Sequence, residues 1–167
     1  MHIMAYWRWD NYQRGLDKGV GFHFSSNQGR LHSLVEIGEH LWLVTGRKGP
    51  TGTQYFLVAR LAVAAKTHNP PNYTYGCYRL EADVGTSLYF CADDLESSDL
   101  LLALHFAPRK PIHSRSRIGQ SLQTIRALTV DDDVHLLDWG RNLNLEPRAH
   151  PMAQGHTYRR NSPSQIG

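Results

Sequence analysis

The sequence predicts an α+β domain built as a small, partly closed mixed β-barrel with short flanking helices. Apolar or alternating runs of strand length dominate the middle of the chain. Turns rich in Gly and Pro separate these runs at short intervals. Strands do not alternate with long helical patterns, which argues against a doubly wound parallel sheet.

Size and composition fit one cytoplasmic domain. The chain has 167 residues, of which 41% are hydrophobic and 20% charged, as in ordinary folded domains. No apolar run approaches the roughly 20 residues that span a bilayer, and the N-terminus lacks the pattern of a secretory signal. We expect a domain at residues 1–145, a polar tail or linker at 146–167, and no membrane partner.

Two core strands joined by a basic loop form the predicted centre of the barrel. Residues 41–46 are apolar almost throughout, which indicates burial on both faces. Residues 55–63 form the longest strand-like run of the chain. The intervening segment 47–52, RKGPTG, predicts an exposed hairpin loop.

The N-terminal segment is predicted to hold strands and turns. Aromatic and polar residues alternate at 6–9, which suits a short strand or a packed arm, and the glycines within 15–21 indicate turns. In the next strand Phe22 and Phe24 share one face, and the polar loop 25–29 ends it. Further strands are expected at 77–82 and 87–90.

The clearest helix signal covers residues 129–143. Thr129 is a good N-cap and Asp132 stands at the capping-box position. The run of three aspartates at 131–133 also complements the helix dipole, which explains the run without a bound metal. The residues expected to face the core are Val134 and Leu137.

Charge is unevenly distributed along the chain. The 18 Lys and Arg against 15 Asp and Glu leave a net charge of only +3, yet the segment 81–99 is acidic and the segment 109–117 is basic. Basic and hydroxyl side chains at this density suit phosphate contacts, and they equally suit a solvated loop that balances the acidic segment. The candidate contacts to a nucleic-acid backbone are Arg47, Lys48, Arg109, Lys110, His113, Arg115 and Arg117.

Motifs for catalysis and metal binding are missing from the sequence. The ten histidines show no HxxxH or HExxH spacing, and Cys77 and Cys91 do not form CxxC, which predicts reduced thiols. Serine-nucleophile, P-loop and dinucleotide motifs are also absent. We therefore expect no cofactor and no metal. Glu36 and Glu39 beside His40 leave a paired-carboxylate site open.

Aromatic and amide side chains give a stronger indication of binding chemistry. Aromatic rings stack on nucleobases and enclose extruded ones. Trp7 and Trp9 lie in weakly apolar stretches, whereas Phe24 and Trp42 have strand spacing, which more often places an aromatic residue in the core than in a pocket. Ser and Asn side chains at 25–27 can bond the edge of a base or cap a turn.

The order of these features resembles the PUA-like superfamily, particularly its EVE, YTH and ASCH branches. An aromatic strand ends in Ser25-Ser26-Asn27, a Gly38-Glu39 turn opens the apolar strand at 41–44, and a long partner strand follows at 55–63. The resemblance spans roughly residues 5–145. In these families a Gly-Asp turn typically precedes the central strand, and Glu39 stands here in place of the Asp.

The resemblance implies a DNA-binding reader that flips a modified base, most typically methylated or hydroxymethylated cytosine in double-stranded DNA, into an aromatic pocket. Phe24 stands where the YTH pattern has a basic residue, which favours DNA over methyladenine in RNA. Segment 118–129 is similar to modification-dependent restriction proteins, so the resemblance also implies a nuclease domain beyond a non-catalytic reader. The implied pocket residues are Trp7, Trp9, Phe24, Ser25, Ser26, Asn27 and Trp42.

Three alternatives stay open at this point. One is an RNA-binding module on the same barrel. Another is a reader of phosphorothioate DNA, which would use the basic loop and an apolar pocket for sulfur. The third is an ASCH-like hydrolase of a small nucleotide-like substrate, which would use groups such as Lys48 and Glu39.

Overall fold

The computed structural model describes residues 2–92 and 95–150. In this part of the chain seven strands form one curled mixed sheet, a half-barrel, flanked by a few short helices. The coarse prediction of a small barrel-like α+β fold is confirmed. The strands are β1 (Ile3–Tyr6), β2 (His23–Ser26), β3 (His40–Gly49), β4 (Gly52–His68), β5 (Tyr78–Ala82), β6 (Leu88–Tyr89) and β7 (Arg126–Ala127). The helices are α1 (Trp9–Lys18), α2 (Arg30–Leu34), α3 (Ser98–Ala103), α4 (Ile118–Ser121) and α5 (Val130–Gly140), and a 3-10 turn covers Arg115–Arg117.

The sheet has the order β2-β5-β4-β3-β1-β7, and β6 pairs with β4. β1 runs parallel to β3, whereas the other pairs are antiparallel. Strand β4 pairs first with β3 and then with β5, and its register shifts between Val63 and Ala65. Because a bulge increases the local twist of a strand, β4 carries the bend that curls the sheet.

The predicted central hairpin is confirmed, with a tighter turn. Residues 41–46 are buried throughout. β3 and β4 stay paired as far as Gly49 and Gly52, so the basic residues predicted in a loop belong to the paired end of β3. Only Pro50 and Thr51 form the turn, and Gly52 follows with φ of 128°, a conformation that favours glycine.

Helix α1 occupies a segment in which turns were predicted. Tyr12 and Leu16, one helical turn apart, pack against the core. Gly19 ends the helix in the left-handed conformation with φ of 65°. Gly15 permits a close approach, since a Cβ there would lie 3.3 Å from Arg148 Nη1. Gly19 therefore marks the end of the helix, and Gly15 marks a close contact.

Helix α5 has the predicted capping box. The Thr129 hydroxyl accepts a bond from the Asp132 N–H, and the Asp132 carboxylate accepts one from the Thr129 N–H, both at 3.0 Å. The predicted inward position of Val134 is wrong, because this side chain is 52% exposed. It lies about 200° around the helix from Asp132, which is buried together with Leu136 and Gly140.

Alternate residues of β3 supply two apolar cores, one on each face of the sheet. Leu41 and Leu43 join the first core, which also contains Tyr12 of α1. Trp42 and Val44 join the second core beneath α3 and α5. The face on which a β3 side chain lies therefore decides which of the two cores it can contact.

Residues 145–150 belong to the packed domain, although their polar composition predicted a tail from residue 146. Leu145 forms a bridge with Phe90, and Ala149 forms one with Val20. The Arg148 side chain is 1% exposed and pairs with Glu146, so its charge is neutralised within the fold. The rest of the predicted tail, 151–167, lies outside the described residues.

Candidate functional site

A pocket of about 300 Å³ opens where the ends of β1 and β2 meet two loops. One loop connects β4 to β5, and the other precedes β7. The walls therefore come from four separate parts of the chain. The lining residues are Tyr6, Trp7, Arg8, Phe24, Ser25, Ser26, Asn27, Gln28, Thr74, Tyr75, Leu122 and Gln123.

Two perpendicular aromatic rings form the apolar part of this pocket. The Trp7 and Phe24 rings lie at 89° with centroids 6.1 Å apart, and both side chains are about 4% exposed. Tyr12 and Tyr89 pack against Trp7 from within the core, at 5.5 and 6.2 Å. Because a second layer of rings supports Trp7, this aromatic wall is held in one position.

The end of β2 contributes the polar part of the wall. The Ser25 hydroxyl accepts a bond from Asn69 Nδ2 at 2.9 Å, and the Ser26 hydroxyl accepts one from the Gln28 N–H at 3.0 Å. Each serine oxygen is thus fixed in place while its O–H can still donate. Asn27 is exposed at the mouth of the pocket.

Gln28 joins two walls that are distant in sequence. Its amide nitrogen donates to the Gln123 carbonyl at 3.2 Å, and its amide oxygen accepts from the Ile125 N–H at 2.9 Å. The side chain therefore fastens the segment before β7 to the end of β2. Sequence reasoning missed this role, since a glutamine in a polar loop carries no signal of its partner.

The loop between β4 and β5 closes another side. Gly76 has φ of 113°, and a Cβ there would lie 2.2 Å from the Ser26 carbonyl carbon, so the loop rests directly on β2. The Arg14 guanidinium lies 4.7 Å from the Tyr75 ring centre and donates to the Tyr73 hydroxyl at 3.4 Å. Helix α1 thereby supports the Tyr75 wall.

Five of the seven predicted pocket residues come together in this cavity, namely Trp7, Phe24, Ser25, Ser26 and Asn27. Trp9 does not line it. Trp9 is half-buried on α1, with the Arg47 guanidinium 5.6 Å from its ring centre.

Trp42 was also expected as a wall, and this expectation needs correction. The side chain is fully buried in the second core, and its Nε1 donates to Asp133 at 2.7 Å. Because neighbouring residues of β3 point to opposite faces, Trp42 is directed away from the core that contains Trp7.

The residues predicted to contact a nucleic-acid backbone lie at or near the surface, and several are engaged with other side chains. Arg115 pairs with Glu96 at 2.9 Å, as the charge-balancing interpretation of the basic loop predicts. Arg117 donates to Gln120, and Arg47 covers the Phe56 ring at 5.0 Å. The exposed members are Lys48, Arg109, Lys110, His113, Arg115 and Arg117.

Arg126 connects the basic segment 109–117 to the chain segment that lines the pocket. It donates to the Lys110 carbonyl at 3.1 Å and to the Ser121 carbonyl at 3.0 Å. Ser121 directly precedes Leu122, which lines the pocket. The basic segment 109–117 is therefore held to the chain segment that forms one wall of the pocket.

The charged and ionisable groups at the pocket are few. Arg8 pairs with Asp10 at 2.7 Å and remains largely exposed. Burial raises the pKa of Tyr6, helped by the neighbouring Tyr55, while the bond from its hydroxyl to the Gly46 carbonyl opposes the rise. Tyr6 is therefore a neutral hydroxyl at physiological pH. The described lining residues include no carboxylate.

The residues considered for catalysis are far apart. Glu39 directly precedes β3 and Lys48 lies near its other end, a separation of about 30 Å along an extended strand. Glu39 instead accepts a bond from the Glu36 N–H within its turn. In residues 2–92 and 95–150, no group of three or more His, Cys, Asp or Glu is placed to hold a metal ion.

Comparisons with known proteins add no family to this picture. No protein-family model matches the chain, and a search of curated proteins finds no significant match. No helix in the described part of the chain is both long and apolar enough to cross a membrane.

Proposed function

We propose that this chain is a PUA-like, cytoplasmic DNA-binding module that takes up one modified base extruded from a duplex. The observation that carries the proposal is the convergence of Trp7 and Phe24 with the polar segment Ser25 to Asn27 in one pocket of about 300 Å³. Flat rings can stack on a base while the hydroxyl and amide groups bond its edge. Methylated and hydroxymethylated cytosine are the first ligands to test.

The energetics of such a reader are consistent with this pocket. Extruding a base costs a few kcal/mol, and stacking on aromatic side chains returns about 1–3 kcal/mol per base. One buried methyl group adds only about 1 kcal/mol. Phosphate contacts must then supply much of the affinity, and Arg14 beside Tyr75, together with the basic segment 109–117, supplies the groups for that role.

In this proposal the module is the specificity part of a modification-dependent restriction system. A nuclease acting with it would cut DNA that carries the base, because binding alone breaks no bond. The pocket itself needs no catalytic residue for this task.

The test is a binding comparison on matched duplexes. The same labelled duplex is prepared with one central cytosine that is unmodified, methylated or hydroxymethylated, and binding is followed by fluorescence anisotropy at low and moderate salt. We expect tighter binding of at least one modified duplex at both salt concentrations. Equal binding to all three, or no binding at low salt, would overturn the proposal.

Two competitors distinguish the alternatives in the same assay. If single-stranded RNA displaces the modified duplex at lower concentration than the unlabelled duplex does, the module is an RNA binder. If a phosphorothioate linkage increases affinity while base modification does not, the protein reads the backbone. Either result would replace the base-reading function.

A further inference from the structure

We infer that the pocket selects a modification that presents hydrogen-bond acceptor oxygens, above all an anionic carboxyl group on a pyrimidine, over a methyl group. The inference rests on the proposed base-reading function and names its substrate class. Three features of the pocket support it: its serine donors, the composition of its lining and the position of Arg8.

Both serines line the pocket, and each hydroxyl keeps a hydrogen that it can donate. Ser25 already accepts from Asn69 and Ser26 already accepts from the Gln28 N–H. A hydroxyl that accepts one bond still carries a hydrogen to donate, and both side chains are at least nine-tenths buried, at 8% and 9% exposure. A buried donor left without an acceptor loses about 1–3 kcal/mol, so an oxygen on the ligand satisfies what a methyl group cannot.

Charge at the pocket favours the same chemistry. Arg8 is the charged residue among the described lining residues, and none of them is a carboxylate. Its guanidinium has several N–H donors, and within residues 2–92 and 95–150 the short contact that engages it is the one to Asp10 at 2.7 Å. An anionic substituent entering the mouth can therefore compete for this cation.

Asp10 is the internal competitor for Arg8. The Arg8 side chain is 67% exposed and that of Asp10 is 56% exposed, so their pairing is weak. Removing the Asp10 charge would leave Arg8 free for the ligand, whereas removing Arg8 would leave the described lining residues without a charged side chain. The two variants should shift affinity in opposite directions.

The experiment compares four duplexes that differ only at one cytosine: unmodified, 5-methyl, 5-hydroxymethyl and 5-carboxyl. We expect affinity to increase in that order, with the carboxyl duplex bound about tenfold more tightly than the methyl duplex, as a charge-assisted hydrogen bond implies. Arg8→Gln should reduce this ratio to about that of hydroxymethyl over methyl. Asp10→Asn should increase it, and Asp17→Asn on the same helix is the matched control.

The outcomes separate the inference from the function on which it rests. Modified duplexes that bind equally well, but better than the unmodified one, would overturn the inference and leave base reading intact. A uniform loss across all four duplexes in Arg8→Gln would assign Arg8 to the phosphate backbone and would also overturn it. If no modified duplex exceeds the unmodified one, base reading itself fails.

Discussion

Single residues decide whether the pocket can hold a flat ligand. Tyr75 and Tyr73 belong to the same loop and both contact Arg14, but only Tyr75 lines the pocket. The pair therefore distinguishes a role in binding from a role in holding the loop.

Tyr75→Ala should weaken binding of the preferred modified duplex by about 1–3 kcal/mol, roughly 5- to 150-fold, because one stacking wall is lost. Tyr73→Ala should change affinity less than about threefold, since its exposed contact with Arg14 is weak. Anisotropy titrations measure both, and thermal melts establish that each variant is folded. Equal losses in the two variants would show that the loop matters and the Tyr75 ring does not.

His23 makes stability depend on pH. Burial, with the nearby Arg79 charge, lowers its pKa from 6.5 to about 4. Between these values the unfolded chain binds a proton that the folded chain does not, so this group stabilises the fold above pH 6.5 and the contribution is lost as pH falls towards 4. The loss is on the order of 2–3 kcal/mol.

Urea unfolding measured from pH 7 to pH 4 should therefore show a falling free energy of unfolding in the wild type. His23→Asn should flatten that slope, while His135→Asn at an exposed position of α5 should leave it unchanged. A slope that persists in the His23 variant would place the responsible proton elsewhere, for example on His40, whose pKa is lowered by burial and by Arg60.

At the scale of elements, Asp132 caps α5 and also holds the segment after α3. Its carboxylate accepts bonds from the N–H groups of Thr129, His105 and Phe106 at 2.8–3.0 Å. Burial alone would raise the pKa of Asp132, but these bonds outweigh burial and hold the pKa below its usual value. The charged form is therefore the one that the fold stabilises, and this stabilisation is lost only when the carboxyl is protonated at low pH.

Asp132→Asn should lower the free energy of unfolding by about 2–3 kcal/mol, because an amide group cannot accept all three bonds and leaves a buried N–H unsatisfied. Asp131→Asn is the matched control, since Asp131 is exposed in the same turn, and it should cost less than about 0.5 kcal/mol. Chemical denaturation gives both values. Similar costs would mean that negative charge near the start of α5, and not the hydrogen bonds of Asp132, stabilises the contact between α5 and the segment after α3.

At the scale of the whole molecule, Arg148 joins the C-terminal segment to both α1 and the sheet. Its Nη1 donates to the Val20 carbonyl at 2.9 Å, and its guanidinium lies 4.6 Å from the Tyr89 ring centre and 5.5 Å from that of Tyr12. Tyr12 and Tyr89 in turn support Trp7. The segment thus stabilises the pocket from behind.

Arg148→Ala should cost about 3–5 kcal/mol, because Glu146 would be left as a largely buried charge without its partner. Arg141→Ala removes an exposed pair with Asp138 and should cost no more than about 1 kcal/mol. Urea unfolding compares the two, and near-ultraviolet circular dichroism reports the aromatic packing. An Arg148 variant as stable as the Arg141 variant would show that residues 145–150 contribute little to the fold.

Local patterns in the sequence predicted the parts of the fold that depend on near neighbours. The capping box of α5 and the hairpin of β3 and β4 were predicted correctly, because each is set by residues a few positions apart. Helix α1 was missed because Gly15 is a turn signal by itself. A Cβ at Gly15 would lie 3.3 Å from Arg148 Nη1, and Arg148 is 133 positions away in sequence.

The sequence by itself determined the barrel-like α+β class and the apolar hairpin at its centre, and the family resemblance pointed to five residues that line one cavity. Only the tertiary structure decided that these five meet Arg8, Tyr75 and Gln123 in one cavity, and that Trp42 lies on the other face. The physical reason is that a strand buried on both faces carries no periodic signal for which side is which. Contacts between residues that are distant in the sequence, such as those of Gln28 and Arg148, are made only when the sheet curls.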